Sequence, residues 1–182
     1  MPEQSKKYYS AMKSKILERF SYLLDIMKIE LLEYFESDLL NRMLFEFKEL
    51  YNDSLSEIPY IGGKKNLFTR NVAYSSPSII FWKVLKAHNF PIEKFAPIYL
   101  KALKINVEQE YKGIKGLLKR MLQKILIRKT FLRFMWKNQA KITDEYPKNF
   151  IAKPIKEKKG EFDFGYIMTQ CPIVEFGKSQ NA

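Results

Sequence analysis

Residues 149–176 read NFIAKPIKEKKGEFDFGYIMTQCPIVEF, and they decide whether this chain is all-helical or mixed. Phe162, Phe164 and Tyr166 alternate with Asp163 and Gly165. That is the two-residue period of a strand, not the 3.6-residue period of a helix. The stretch predicts an antiparallel β-hairpin with arms at about 149–156 and 161–168, turned by KEKKGE. Pro172 then marks the first position of a helix, with Thr169, Gln170 or Cys171 as its cap. A lone hairpin is only marginally stable, so it has to pack on other elements.

Those elements lie upstream and read as helices. Over residues 8–36, Ile16, Phe20, Leu23, Leu24, Met27 and Leu31 fall on one stripe at steps of three or four. Ser37 and Asp38 can end that helix and cap a second over about 39–50, with Leu40, Leu44, Phe47 and Tyr51 on one side. Pro59, Gly62 and Gly63 are turn signals. A third helix is expected to start with Ser76 as cap and Pro77 at its first position, carrying Ile79, Ile80, Trp82, Val84 and Leu85, and to stop at Asn89. A fourth starts at Pro91, with Pro97 as a candidate kink. Residues 107–141 are helical again, with Leu117, Leu118, Met121, Ile125, Leu132, Met135 and Trp136 on one face and a row of lysines and arginines on another. The expected fold is therefore α+β: one domain over 1–182, mostly helical from about 8 to 141, closed by the hairpin and a short terminal helix at about 149–180.

Composition supports a folded globule. The chain has 182 residues, 46% hydrophobic and 15% aromatic. That is enough to bury a core without disulfide or metal staples. A single cysteine excludes an internal disulfide framework and suits a reducing, cytoplasmic setting. The first fifteen residues are polar and lack a signal-peptide core, and no apolar run approaches the roughly 18–20 residues of a membrane span. The formal charge of +12 admits a small anionic substrate or a polyanion as partner and does not choose between them.

Cys171 is the first candidate for chemistry. A thiol at a helix N-terminus faces unpaired N–H groups and the positive end of the dipole, which favours thiolate. The alternative is a small apolar residue filling a gap, a common role for free cysteine. His88 is the only histidine. It can serve as a dyad partner for Cys171 or as a cap at the C-terminus of its own helix. One His and one Cys cannot make a zinc site of ordinary ligand type, and no cofactor motif stands out, so neither a metal nor a cofactor is expected. In IGGKKN (61–66), backbone N–H groups with Lys64 and Lys65 can hold a carboxylate, or the segment is a plain turn.

Taken in order, three stretches resemble the L-2-amino-thiazoline-4-carboxylic acid hydrolase family: IPYIGGKKN with the SSPSIIFWKVLKAHNFPIEKFAPIYL that follows, FLRFMWK, and FDFGYIMTQCPIVEF. The resemblance spans roughly residues 55–182. Gly62, Gly63 and Asn66 match the family's "iGG-x-x-N" turn, and Thr169 with Cys171 matches its "t-x-C" element. The family's second cysteine and its nearby Asp have no counterpart before Ala182, which implies a short member or a truncated frame. The resemblance implies hydrolytic opening of a small, carboxylate-bearing cyclic amidine or thiazoline at a C–N or C–S bond, within cysteine-related metabolism. On that reading Cys171 is the nucleophile and Thr169 its hydrogen-bond partner. Gly62, Gly63, Lys64 and Asn66 position the substrate.

A second reading needs no catalysis. Lys119, Arg120, Lys124, Arg128, Lys129 and Arg133 would form a basic surface for nucleic acid or another polyanion. A third is an inactive relative acting as a subunit, whose exposed apolar edge would make it a homodimer.

Overall fold

The computed structural model describes residues 2–66, 68–112, 149–155 and 165–182, with Gly116, Leu118, Met121, Leu122, Phe131 and Phe134. It is mostly helical. Helix α1 spans Pro2–Leu31, α2 Ser37–Asp53, α3 Thr69–Ala87 and α4 Ile92–Glu110. Strands β1 (Ile151–Ile155) and β2 (Gly165–Gln170) follow, then helix α5 (Pro172–Ser179). Short 3₁₀ turns at Ser54–Ser56 and Gly63–Lys65 connect α2 to α3.

Most of the stripe expected on α1 is buried: Ile16, Phe20, Leu23, Met27 and Leu31 face inward, joined by Tyr9, while Leu24 is only half-buried. α1 packs on α3, on α4 and on the Ser54–Ser56 turn, while α2 packs on α3. Phe81 of α3 sits at the centre, with its ring 6.0 Å from Phe20, 5.7 Å from Phe47 and 6.3 Å from Phe95. Each such ring adds about 1.5–3 kcal/mol by leaving water. The aromatic-rich composition thus becomes one interlocked cluster across four helices.

Boundaries differ from expectation for identifiable reasons. α1 ends at Leu31 rather than 36, and just beyond it the chain tightens: the amides of Glu33 and Tyr34 bond only three residues back, to Glu30 O and Leu31 O, at 3.1 Å. Ser76 and Pro77 do not begin a helix: α3 starts at Thr69 and runs through both. A proline cannot donate to the carbonyl four residues back, here that of Ala73. The Ser76 hydroxyl makes that bond instead, donating to Ala73 O at 2.9 Å. The helix continues because the orphaned acceptor has a substitute donor.

α3 stops where Asn89 indicated. Asn89 adopts φ 59°, its N–H bonds Lys86 O at 3.0 Å, and the Phe90 N–H bonds Leu85 O at 3.0 Å. This is a Schellman closure with a buried aromatic just beyond it. α4 begins at Ile92, with Pro91 as its extended cap residue rather than its first helical one, holds Pro97 inside it, and runs on to Glu110. Leu118 and Met121, assigned to an apolar face, are 62% and 59% exposed. Periodicity identifies a face but not what covers it.

β1 and β2 pair antiparallel, with Ala152 opposite Met168 and Pro154 opposite Tyr166, and an irregularity between Ile151 and Ala152. Pro154 is tolerated because each strand of a two-stranded sheet has an unpaired side. β2 runs through Thr169 and Gln170, so Cys171 is the cap of α5 and Pro172 its first residue. The KEKKGE turn, Phe162, Phe164 and most of 113–148 lie outside the described residues. α5 buries Phe176 and packs on α3. It too ends in a Schellman closure: Asn181 has φ 54°, its N–H bonds Lys178 O, and the Ala182 N–H bonds Gly177 O, both at 3.1 Å.

Candidate functional site

The IGGKKN turn is built by its glycines. Gly62 has φ 107° and Gly63 φ 56°, consecutive left-handed residues that side chains disfavour. A Cβ on Gly63 would lie 3.0 Å from the Tyr60 hydroxyl and 3.1 Å from the Tyr8 ring. The close approach that Gly63 permits is therefore to two tyrosines. The Lys65 and Asn66 amides bond back to Gly62 O and Gly63 O at 3.2 Å, and the side chains of Lys64 and Lys65 are exposed.

Asn66 is buried and fully engaged. Its Nδ2 donates to Ile61 O at 2.5 Å and to Asn149 Oδ1 at 2.9 Å, and its Oδ1 accepts from the Phe68 N–H at 2.9 Å. Asn149, fully buried, also accepts from the Phe150 N–H at 2.7 Å through the same Oδ1. Its main-chain carbonyl accepts from Gln170 Nε2 at 2.8 Å. A continuous polar path thus runs from the glycine turn through Asn149 to the residue before Cys171.

Cys171 takes extended backbone angles, φ −130° and ψ 112°, as a cap residue should. Its carbonyl accepts the Glu175 N–H at 3.0 Å, while its thiol makes no capping hydrogen bond. It is half-buried, packed against the edge of the core. Thr169 is exposed, and its hydroxyl donates to Ile151 O over 3.4 Å, so its described partner is the backbone of β1 rather than the thiol.

A cleft of about 440 Å³ opens beside this junction. Glu57 and Pro59 form one wall; Thr169, Gln170, Pro172 and Glu175 form another, over Phe176. Both sequence neighbours of Cys171, Gln170 and Pro172, line the cleft, while Cys171 itself is not among its lining residues. Glu57 accepts a hydrogen bond from Gln180 Nε2, and Gln180 Oε1 accepts from Lys83 Nζ at 3.2 Å. Glu175 pairs with Lys178 at 3.1 Å on the exposed side of α5. The cleft can thus present two carboxylates to a cationic or amidinium group, or to a water molecule.

The sequence-derived groups divide accordingly. Thr169 lines the cleft; Cys171, Gly62, Gly63, Lys64 and Asn66 do not. Among the described residues, the Asn66–Asn149–Gln170 path links their turn to Gln170 in the cleft wall. His88 caps α3 and meets Glu46 of α2 at 3.0 Å, with no hydrogen bond to Cys171 among the described residues. Glu57, Glu175, Asn149 and Gln180 escaped the sequence reading. The partners of Glu57 and Asn149 lie 123 and 83 positions away, beyond the reach of any local pattern. The basic residues Lys119, Arg120, Lys124, Arg128, Lys129 and Arg133 lie outside the described residues. Among the described residues no group of three His, Cys, Asp or Glu side chains could hold a metal, and no helix is long and apolar enough to cross a membrane.

No family model, no curated protein and no solved structure matches this chain.

Proposed function

We propose that the chain is a cytoplasmic hydrolase that opens a small, carboxylate-bearing cyclic amidine or thiazoline in the cleft beside Cys171. The observation that supports this most is the buried Asn66–Asn149–Gln170 path. It ties the two motifs behind the resemblance to the L-2-amino-thiazoline-4-carboxylic acid hydrolase family, which are more than 100 residues apart. A cleft of small-molecule size opens at the same junction. On this reading KEKKGE closes β1 and β2 as a hairpin, which delivers Cys171 to the start of α5.

The chemistry needs an electrophilic ring carbon between nitrogen and sulfur. The Cys171 thiolate adds to that carbon, the ring C–S bond breaks, and the departing sulfur takes a proton. Water then adds to the same carbon and expels Cys171 Sγ, leaving a carbamoyl-cysteine. The overall change is the addition of one water. On this reading Glu57 and Glu175, which line the cleft, hold the amidine N–H groups and accept the proton of the attacking water. Lys83, acting through Gln180, keeps Glu57 oriented.

The test is mass spectrometry of L-2-amino-thiazoline-4-carboxylate incubated with the protein, with Cys171→Ser and with Glu57→Gln. Carbamoyl-cysteine from the wild type alone supports the reading. Product from Cys171→Ser but not Glu57→Gln keeps the hydrolase and moves the attack to carboxylate-activated water. No product from the wild type overturns this substrate.

A further inference from the structure

Residues 111–143 carry ten Lys and Arg and no Asp or Glu. Within that stretch Leu118, Met121 and Leu122 are helical, and they are 62%, 59% and 52% exposed. Residues three and four apart share one face of a helix, so the three side chains form an apolar strip turned toward water. Helix α1 uses the same kind of spacing, at Ile16, Phe20 and Leu23, for its buried face. Phe134 is 60% exposed as well. In the sequence Lys119 and Arg120 fall between Leu118 and Met121, and Lys115 and Lys124 flank the strip. Exposed apolar residues on the other helices have acidic neighbours instead: Ile29 precedes Glu30 and Phe45 precedes Glu46.

We propose that the strip of Leu118, Met121 and Leu122 docks on the surface of an anionic lipid bilayer, with the lysines and arginines of 111–143 meeting its headgroups. An apolar strip alone fits many partners, and the charge chooses among them. A run of cations without acids is attracted to an anionic leaflet, and leucine and methionine side chains gain by entering the boundary between headgroups and acyl chains. The segment suits lying on a bilayer rather than crossing it: from Lys112 to Lys141 successive cations are never more than four positions apart, so no part of it is a continuous apolar span. A nucleic acid could use the same charges. It would leave the aliphatic strip in water, because phosphates take the cations and bases stack on aromatic rings. Phe134 suits either partner; Leu118, Met121 and Leu122 suit the lipid. The strip shares no residue with the cleft beside Cys171, so the proposal stands whatever that cleft binds.

The test is cosedimentation of the full-length protein with vesicles at physiological ionic strength. One set is phosphatidylcholine alone, and the other mixes in phosphatidylglycerol. Binding to the anionic vesicles should be at least roughly tenfold tighter than to the neutral ones. Combining Leu118→Gln, Met121→Gln and Leu122→Gln should weaken it roughly a hundredfold with every charge kept. Phe45→Gln, which removes a 67% exposed side chain from α2, should leave it unchanged. Glutamine is a good helix former, and circular dichroism verifies that the triple variant keeps its helix content. A second measurement needs no variant: on anionic vesicles, amide hydrogen exchange of the wild type should slow in peptides covering 116–122. Equal binding to both vesicle types overturns the proposal, because the charge then selects nothing. Undiminished binding of the triple variant overturns it too, by removing the strip from the contact. So does tighter binding to a single-stranded oligonucleotide than to anionic vesicles, which assigns the cations to nucleic acid. Protection confined to other residues, or no vesicle binding, overturns it as well.

Discussion

Asn66 and Asn149 are 83 positions apart in the chain and share a buried side-chain hydrogen bond of 2.9 Å. Around it, Ile61 O, the Phe68 N–H and the Phe150 N–H are all satisfied by one or other of the two amides. The pair is the joint between the helical part and the strands. An amide is well suited to it, because a single Asn side chain donates and accepts at once.

Asn66→Ala should therefore cost about 1–3 kcal/mol, since it takes their side-chain partner from both Ile61 O and the Phe68 N–H rather than removing one weak bond. Urea unfolding of Asn66→Ala, Asn149→Ala and the double variant would measure this. A coupling between the two positions of about 0.5–3 kcal/mol is expected, because they share one network. Strict additivity would mean that the joint is held by something else.

Ser76 and Pro77 make a second, local test. If the Ser76 hydroxyl stands in for the missing proline N–H, Ser76→Ala leaves Ala73 O unpaired inside α3. The expected loss is about 1–3 kcal/mol. Adding Pro77→Ala restores an N–H four residues beyond Ala73 and should recover much of that loss. A thermal unfolding series of the two single variants and the double variant distinguishes this from a simple packing defect, which a second alanine would deepen.

Alkaline pH should unfold the protein through its buried tyrosines. Burial pushes the Tyr51 hydroxyl from 10.0 up to about 12, partly opposed by its hydrogen bond with Ser76. Tyr9, which donates to Pro59 O at 2.8 Å, is raised further, again mainly by burial. Below pH 10 both states hold these protons and stability is unaffected. Above it the unfolded chain loses them first, so stability falls by about 1.4 kcal/mol per pH unit for each tyrosine. For Tyr51 the fall continues until the folded value near 12 is passed. Urea midpoints at about pH 8 and about pH 11 should show the drop, and Tyr51→Phe should make it shallower. An unchanged slope in that variant would remove Tyr51 from the account.

Much of the helical fold was legible because it is written in local periodicity. Ile16, Phe20, Leu23, Met27 and Leu31 recur at helical spacing, and all five are buried. Asn89 signals a helix end because an asparagine accepts φ 59° cheaply, and the chain turns there. Pro172 marked the start of α5 for a similar reason: its ring fixes the backbone angle that a first helical residue needs. The misreadings were also local in origin. SSPS looks like a helix start, and only the rescue of Ala73 O by Ser76 makes it a helix interior.

The sequence by itself determined most of the helical stretches, a turn at Gly62 and Gly63, and a last helix with Pro172 at its first position. Each of these depends on residues within one or two turns of one another, so a linear pattern can carry it. Only the tertiary structure decided that Asn66 meets Asn149 and that Gln180 reaches Glu57. Those pairings cross 83 and 123 positions. They exist because burying the aromatic faces of four helices sets where each backbone lies, and polar side chains bond whatever that packing brings within reach.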